Sequence, residues 1–339
     1  MPSLSILNYN SFQKPQLAND VPNEYKHERN EYFIRNEMHR FDIIALQEQF
    51  TFINPRPINL LDKAIENGFY YFYKHSNPSF ISKMLINDGL LILSKYPIVE
   101  ADGKEFDPCI SIDRLIAKGV IWAKIKLPNG AHIHIFNTHL LATYNNLTEN
   151  EYVLCKIRAI TQLIQLREFI QEKLNIFFNK GDIAILCGDF NVDALNNKFN
   201  CGKILNYVNI NNKLRQILQN ESKELKFYEH ILGFSNSVFK LDHIFYRDHK
   251  YYPITIGNYK LDSKGIKIPL ETIITAENER LDQMNLDHIF ELIVKNKKDA
   301  GKVWIRLGSS KVEEFFVKNH KFTQLSDHYG LSMRIEYLE

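Results

Sequence analysis

The sequence is poor in cysteine and has no long apolar run. Its four cysteines, Cys109, Cys155, Cys187 and Cys201, are scattered over 339 residues, and no two form a C-x-x-C pair. That pattern excludes a disulfide framework and the spacing of a zinc site, and leaves reduced, mostly buried thiols. No stretch has the unbroken apolar length of a membrane-spanning helix. Residues 1–9 lack a basic region followed by a long apolar run, so no signal peptide is read there. The chain is therefore expected to be soluble, with the choice between cytoplasmic and secreted left open. Neither sign of charge is in excess: 42 Lys and Arg face 40 Asp and Glu, for a net charge of +2. Proteins that bind nucleic acid draw much of their affinity from phosphate contacts and usually show a basic excess. The balance here argues against nucleic acid as a partner. Tandem repeats and Gly/Pro/Ser-rich linkers are also missing, so residues 1–339 are read as a single domain. What is present is the composition of a folded globular protein, 45% hydrophobic, 12% aromatic and 24% charged, long enough to bury a sizeable core.

The pattern along the chain is one of short apolar strands that end in polar residues. Residues 4–7, 41–46, 69–73 and 90–93 read as buried strands, with a helix over 24–40 between the first two. Residues 119–126 and 132–137 alternate apolar and polar positions around Leu127-Pro128-Asn129-Gly130, where Asn-Gly is a strong hairpin signal. The longest helical periodicity runs over 148–174, through Val153, Ile157, Ile160, Leu163, Ile164, Leu166 and Ile170. Later strands are read at 183–187, 241–246 and 331–335. Strand pairs with outer helices predict a mixed α/β protein with two packed sheets. One pentapeptide occurs twice: Leu241-Asp242-His243-Ile244-Phe245 is echoed by Leu286-Asp287-His288-Ile289-Phe290. The first copy falls in a strand-like stretch and the second in a helical-looking one, 276–294. The echo is therefore read as coincidence.

Five polar clusters stand at or near strand ends: Glu48, His139, Asp189 with Asn191, Asp242, and Asp327 with His328. Each alone has an ordinary structural explanation, such as an exposed loop carboxylate, an Asx turn or a satisfied histidine. Strand ends on one edge of a sheet converge in space, so the set can form one site. Glu48 and Asn10 offer hard oxygen ligands, with no thiolate among the candidates. That suits Mg²⁺ better than zinc. Phosphodiester hydrolysis needs a metal to neutralise the phosphate, a base to activate water and donors for the developing charge. These residue types supply all three.

The ordered set Ile6-Leu7-Asn8-Tyr9-Asn10, Leu46-Gln47-Glu48, Asn137-Thr138-His139, Gly188-Asp189-Phe190-Asn191, Leu241-Asp242-His243-Ile244 and Ser326-Asp327-His328 resembles the endonuclease/exonuclease/phosphatase superfamily over nearly the whole chain. Within it, the chain is most similar to the neutral sphingomyelinases. Thr138-His139-Leu140-Leu141-Ala142-Thr143-Tyr144-Asn145 is similar to that family's Thr-His segment leading to a Tyr-Asn pair. Asn87-Asp88-Gly89-Leu90 and the spaced pair Asp113 and Lys118, a switch in the family, resemble it too. The resemblance implies a four-layered α/β sandwich with two central sheets and outer helices. It also implies Mg²⁺, with Mn²⁺ as a substitute. Glu48 would be the direct metal ligand and Asn10 its assistant. Asn8 is the rival two residues away, and motif position favours Asn10. His328 would be the general base and Asp327 its orienting partner. Asp189 would position the nucleophile or the base, Asn191 and His139 would donate to phosphate oxygens, and Asp242 would hold one of the imidazoles. Residues 249–321 look longer than the family needs and read as an insertion.

The resemblance implies hydrolysis of sphingomyelin to ceramide and phosphocholine, with the lipid met peripherally at a membrane surface. Phe80, Ile81 and Met84 are the candidates for lipid contact, whereas residues 69–73 read as a strand packed in the core. A metal-dependent nuclease and an inositol-phosphate phosphatase use the same chemistry and are the alternatives. A catalytically dead binding module would be expected to have lost at least one of Glu48, His139, Asp189, Asn191 and His328, and all are present.

Overall fold

The computed structural model describes residues 1–13, 25–50, 56–75, 87, 89–108, 116–142, 148–191, 239–250, 259–261, 267–269, 286–294, 302–322 and 324–339. Two mixed β-sheets of seven and six strands form its centre. The strands in chain order are β1 (Ser3–Gln13), β2 (Ile43–Gln49), β3 (Tyr71–Lys74), β4 (Leu91–Ser94), β5 (Ile98–Glu105), β6 (Gly119–Lys126), β7 (His132–His139), β8 (Ile183–Asp189), β9 (Phe239–His243), β10 (Tyr259–Leu261), β11 (Lys267–Pro269), β12 (Asp287–Val294), β13 (Val303–Ile305), β14 (Lys311–Glu313) and β15 (Gly330–Tyr337). The α-helices are α1 (Lys26–Tyr32), α2 (Arg56–Glu66), α3 (Glu149–Phe177) and α4 (Ile244–His249). One sheet has the order β13-β15-β1-β2-β4-β3, with β14 also on β15. The other runs β5-β6-β7-β8-β12-β9, and among the described residues β10 pairs with β11.

Period-2 alternation explains the layering. Along β1, Leu4 and Ile6 enter the core between the sheets with Ala45, Ile121, Ile135, Ile185 and Met333. The intervening Leu7 and Tyr9 face outward onto Phe33, Met38 and Leu60 of the α1–α2 side. On the far side, Ile160, Leu163, Leu166 and Ile170 of α3 cover Trp122, Phe136 and Leu186. Burying each Leu, Ile, Met or Phe among them stabilises the fold by about 1.5–3 kcal/mol relative to exposure. The result is helix, sheet, sheet, helix: the four-layered sandwich expected from the resemblance. The long helix begins where its chemistry says it should. Thr148 and Glu151 form a capping box, with Glu151 Oε2 accepting from Thr148 N at 3.0 Å. The Asn-Gly hairpin also forms, with Gly130 at φ 80°.

Three expectations are corrected. The helix read over 276–294 is strand β12 along Asp287–Val294, paired with β8 on one side and β9 on the other. Short apolar runs fit either period, and the run Ile289, Phe290, Leu292, Ile293, Val294 belongs to a central strand. The region read as an insertion, 249–321, therefore contributes β12, β13 and β14 to the central sheets. Of the 69–73 stretch, Phe69 is in the core and Tyr73, partly buried, packs against the core between the sheets, whereas Tyr70 and Phe72 are 67% and 46% exposed.

Candidate active site

Topology brings the strand ends together. β1 and β2 are parallel, as are β7 and β8, with His139 opposite Asp189. β12 is antiparallel to β8, so its first residue, Asp287, lies opposite Asp189 at the same end. β15 is antiparallel to β1, which puts the loop that precedes it, carrying Ser326, Asp327 and His328, at that end too.

Beneath the site is a buried amide floor between the sheets. Gln47 Nε2 donates to Asn8 Oδ1 at 2.9 Å and to Asn137 Oδ1 at 2.7 Å. Asn137 Nδ2 donates to the Leu46 carbonyl at 2.9 Å. Asn8 thus belongs to the floor. Asn10, one strand period further, reaches the carboxylates: its Nδ2 donates to Asp189 Oδ2 at 2.9 Å and to Glu48 Oε1 at 3.2 Å.

Glu48 is turned toward Asn10 by its backbone. Plain alternation would send it outward with Ile44 and Leu46, but its φ is 61°. The β1–β2 register also shifts between Asn10 and Gln13, the mark of a bulge that re-aims a side chain. Gly89 makes this turn possible, because a Cβ there would sit 2.7 Å from Gln49 N and 3.0 Å from the Glu48 Cα. Gly188 serves Asp189 in the same way: at φ 150° it packs so close to β7 that a Cβ would meet the Thr138 carbonyl oxygen at 2.1 Å. Asp189 is then held by Asn10 and by the Asn191 backbone N–H, 2.9 Å from Oδ1. Burial and the neighbouring Asp287 charge push its carboxyl up to about 6, against the opposing pull of His328 and Asn10.

His328 Nδ1 lies 2.6 Å from Asp287 Oδ2. Its Nε2 faces Asp189 Oδ2 at 3.8 Å and Asp327 Oδ1 at 3.9 Å. Burial opposes the charged ring, but Asp287, Asp327 and Asp189 together raise His328 well above the usual histidine range. The expectation that Asp242 holds an imidazole is corrected. Asp242 is paired with Arg247, Nη1 to Oδ2 at 2.9 Å, on the far side of β12 from β8. Asp287, the same letter in the second pentapeptide, is the carboxylate on His328, because β12 and not β9 is the strand beside β8. The repeat itself was the signal that could have found it. Asp327 is close to His328 Nε2, but the short contact to the ring is from Asp287.

His139 Nε2 lies 2.8 Å from Lys118 Nζ, and Lys118 is buried. An ammonium only donates, so Nε2 accepts and the ring proton sits on Nδ1. That Nδ1 is buried with no hydrogen-bond partner among the described residues. Burial, Lys118 and His328 hold His139 neutral. Asn191 Nδ2 donates to the Leu140 carbonyl at 3.0 Å, leaving one amide hydrogen for another acceptor. Asp113, Tyr144, Asn145, Phe80, Ile81 and Met84 lie outside the described residues.

A cation fits this donor set. Glu48 Oε2 is buried with no hydrogen-bond partner among the described residues, Asn10 Nδ2 bridges Glu48 and Asp189, and burial together with Asp287 penalises the charged Asp189 carboxylate unless positive charge is supplied.

No family profile matches the chain. It is 31% identical to a sphingomyelinase from Dictyostelium discoideum over 86% of this chain and 71% of that protein. The chain belongs to the sphingomyelinase family. Its fold is shared by solved structures of low sequence identity. Beta toxin from Staphylococcus aureus with bound magnesium ions superposes with a TM-score of 0.63 at 17% identity, covering 100% of each chain. An endonuclease/exonuclease/phosphatase family protein from Leptotrichia buccalis gives 0.54 at 20% identity over 98% of this chain and 100% of that one. The family's phosphodiester-hydrolase chemistry is consistent with the carboxylate, amide and imidazole groups gathered at the strand ends. Among the described residues no helix is long and apolar enough to cross a membrane.

Proposed function

We propose that this family member is a Mg²⁺-dependent, phospholipase C-type enzyme that hydrolyses sphingomyelin to ceramide and phosphocholine. The observation that carries the reading is the contact of His328 with Asp287 in a ring that also faces Asp189. Asp287 orients the ring and raises its basicity, so that Nε2 takes the proton from the attacking water. Asp189 accepts a hydrogen bond from that water and holds it in line with phosphorus. His139 Nδ1–H and the Asn191 amide donate to phosphate oxygens as negative charge builds. Glu48, with Asn10 beside it, is the group to hold the ion. When bound, Mg²⁺ neutralises phosphate charge and offsets the carboxylates around His328. The P–O bond to the ceramide oxygen breaks, phosphocholine leaves with the oxygen of the water, and the proton taken by His328 returns to the ceramide oxygen, directly or through solvent.

The lipid is met peripherally, with Phe80, Ile81 and Met84 as contacts. Replacing all three with Ser should weaken liposome binding. The decisive assay is hydrolysis with Mg²⁺ and then with EDTA, on sphingomyelin, phosphatidylcholine, inositol phosphates and plasmid DNA. Mg²⁺-dependent release of phosphocholine from sphingomyelin is expected. Cleavage of DNA or of inositol phosphates in its place would move the assignment to a nuclease or a phosphatase.

A further inference from the structure

Arg29, in α1, is 0% exposed, and its guanidinium joins the end of β1 to the segment that leads into Ser326-Asp327-His328. Nη1 donates to the Leu325 carbonyl at 2.5 Å and Nη2 to the Phe12 carbonyl at 3.3 Å, with the guanidinium carbon 5.6 Å from the Phe12 ring centre. Phe12 lies two residues after Asn10, at φ 52°, inside the register shift that accompanies the turn of Glu48. Leu325 immediately precedes Ser326-Asp327-His328. Ser326 closes the same gap from the other side. Its Oγ donates to the Asn10 carbonyl at 2.6 Å and accepts from the His328 backbone N–H at 3.1 Å.

We infer that Arg29 and Ser326 form a clamp that sets the spacing between the Asn10–Glu48 end of the site and its His328 end. Both are positioning residues, acting through main-chain groups. Burying a guanidinium is costly, and a structural plug at this place could have been apolar. The planar fork gives two carbonyls from distant parts of the chain one rigid reference. The single nitrogen of a lysine cannot meet both in that geometry. The precision matters because the base and the carboxylates must bracket one phosphorus, and a displacement of about 1 Å costs on the order of 10²-fold in rate.

The inference rests on the hydrolytic reading above, so its test has one arm that needs no substrate. The full chain and its Arg29→Lys, Ser326→Ala and Ser326→Thr variants are compared by Mn²⁺ binding (electron paramagnetic resonance, no lipid), by kcat and KM on sphingomyelin in mixed micelles, and by thermal midpoint. In the folded Arg29→Lys and Ser326→Ala proteins, kcat is expected to fall by on the order of 10²-fold with KM little changed, and Mn²⁺ affinity to fall with it. Ser326→Thr keeps the hydroxyl and should recover most of the rate. Unchanged kcat and Mn²⁺ affinity in either folded variant would overturn the clamp, as would losses that track only the unfolded fraction. If Arg29→Lys does not fold, the Ser326 pair decides. A wild-type chain that binds Mn²⁺ but leaves sphingomyelin intact would count against the substrate, while the binding arm would still decide the clamp.

Discussion

Asp287 and His328 are 41 residues apart in sequence and 2.6 Å apart in space. The carboxylate opens a central strand and the imidazole precedes the last one. Their contact also separates two identical pentapeptides: one faces the site, and the other, at Asp242, faces Arg247.

That separation is directly testable. Asp287→Asn should lower kcat by roughly 10²–10⁴-fold, because it loosens the ring that moves the proton. Asp242→Asn should leave kcat near the wild-type value, because it removes only a partly exposed ion pair. Steady-state kinetics of the two variants side by side would settle it, and the opposite ranking would return the role to Asp242.

Glu48→Gln keeps the shape of the side chain and removes its charge. Activity should fall by about 10²-fold or more at fixed Mg²⁺, since ion-based stabilisation of this kind is worth several kcal/mol. The Mg²⁺ concentration for half-activation should rise. A titration of rate against Mg²⁺ that superposes on the wild-type curve would remove Glu48 from the metal.

The approach of Gly188 to Thr138 predicts a stability effect. Gly188→Ala places a methyl group against a backbone carbonyl that cannot easily move, at a φ that disfavours any side chain. A loss of at least about 1–3 kcal/mol is expected in denaturant unfolding. A melt indistinguishable from wild type would show that the β7–β8 pair can give way there.

At the other end of the sheets, Trp122 Nε1 donates to His134 Nδ1 at 3.3 Å, and His134 Nε2 lies 3.2 Å from Asp182 Oδ2. Burial depresses the histidine despite Asp182. Asp182 itself lies below its usual value: burial would raise it, but His134 and the Asn179 and His132 amides outweigh that. A depressed histidine means that the unfolded chain takes up its proton first as pH falls. Its contribution to stability is therefore complete above about 6.5 and is lost as pH falls through that value toward the folded one. Asp182 adds a loss of the same sign at lower pH. The thermal midpoint should fall between pH 7 and pH 5 more steeply in wild type than in His134→Gln, with Trp fluorescence reporting the break. Parallel curves would remove His134 from the acid response.

Glu48, His139, Asp189, Asn191, Asp327 and His328 could be picked out as candidates from the sequence because each sits in a short motif beside an apolar strand, and local pattern fixes where a strand stops. The two-sheet sandwich was visible for the same reason, in strands whose alternation assigns one face to each layer. Asp287 was misread, since identical pentapeptides carry identical local information, and only the order β8-β12-β9 decides which copy meets His328. The aim of Glu48 was likewise set by a left-handed backbone turn beside Gly89, and the part of Arg29 by carbonyls reaching it from residues 12 and 325. The sequence by itself determined which chemical groups stand at the ends of strands. Which of those groups touch was decided by strand order and burial, because contacts across the fold depend on distances that no local pattern encodes.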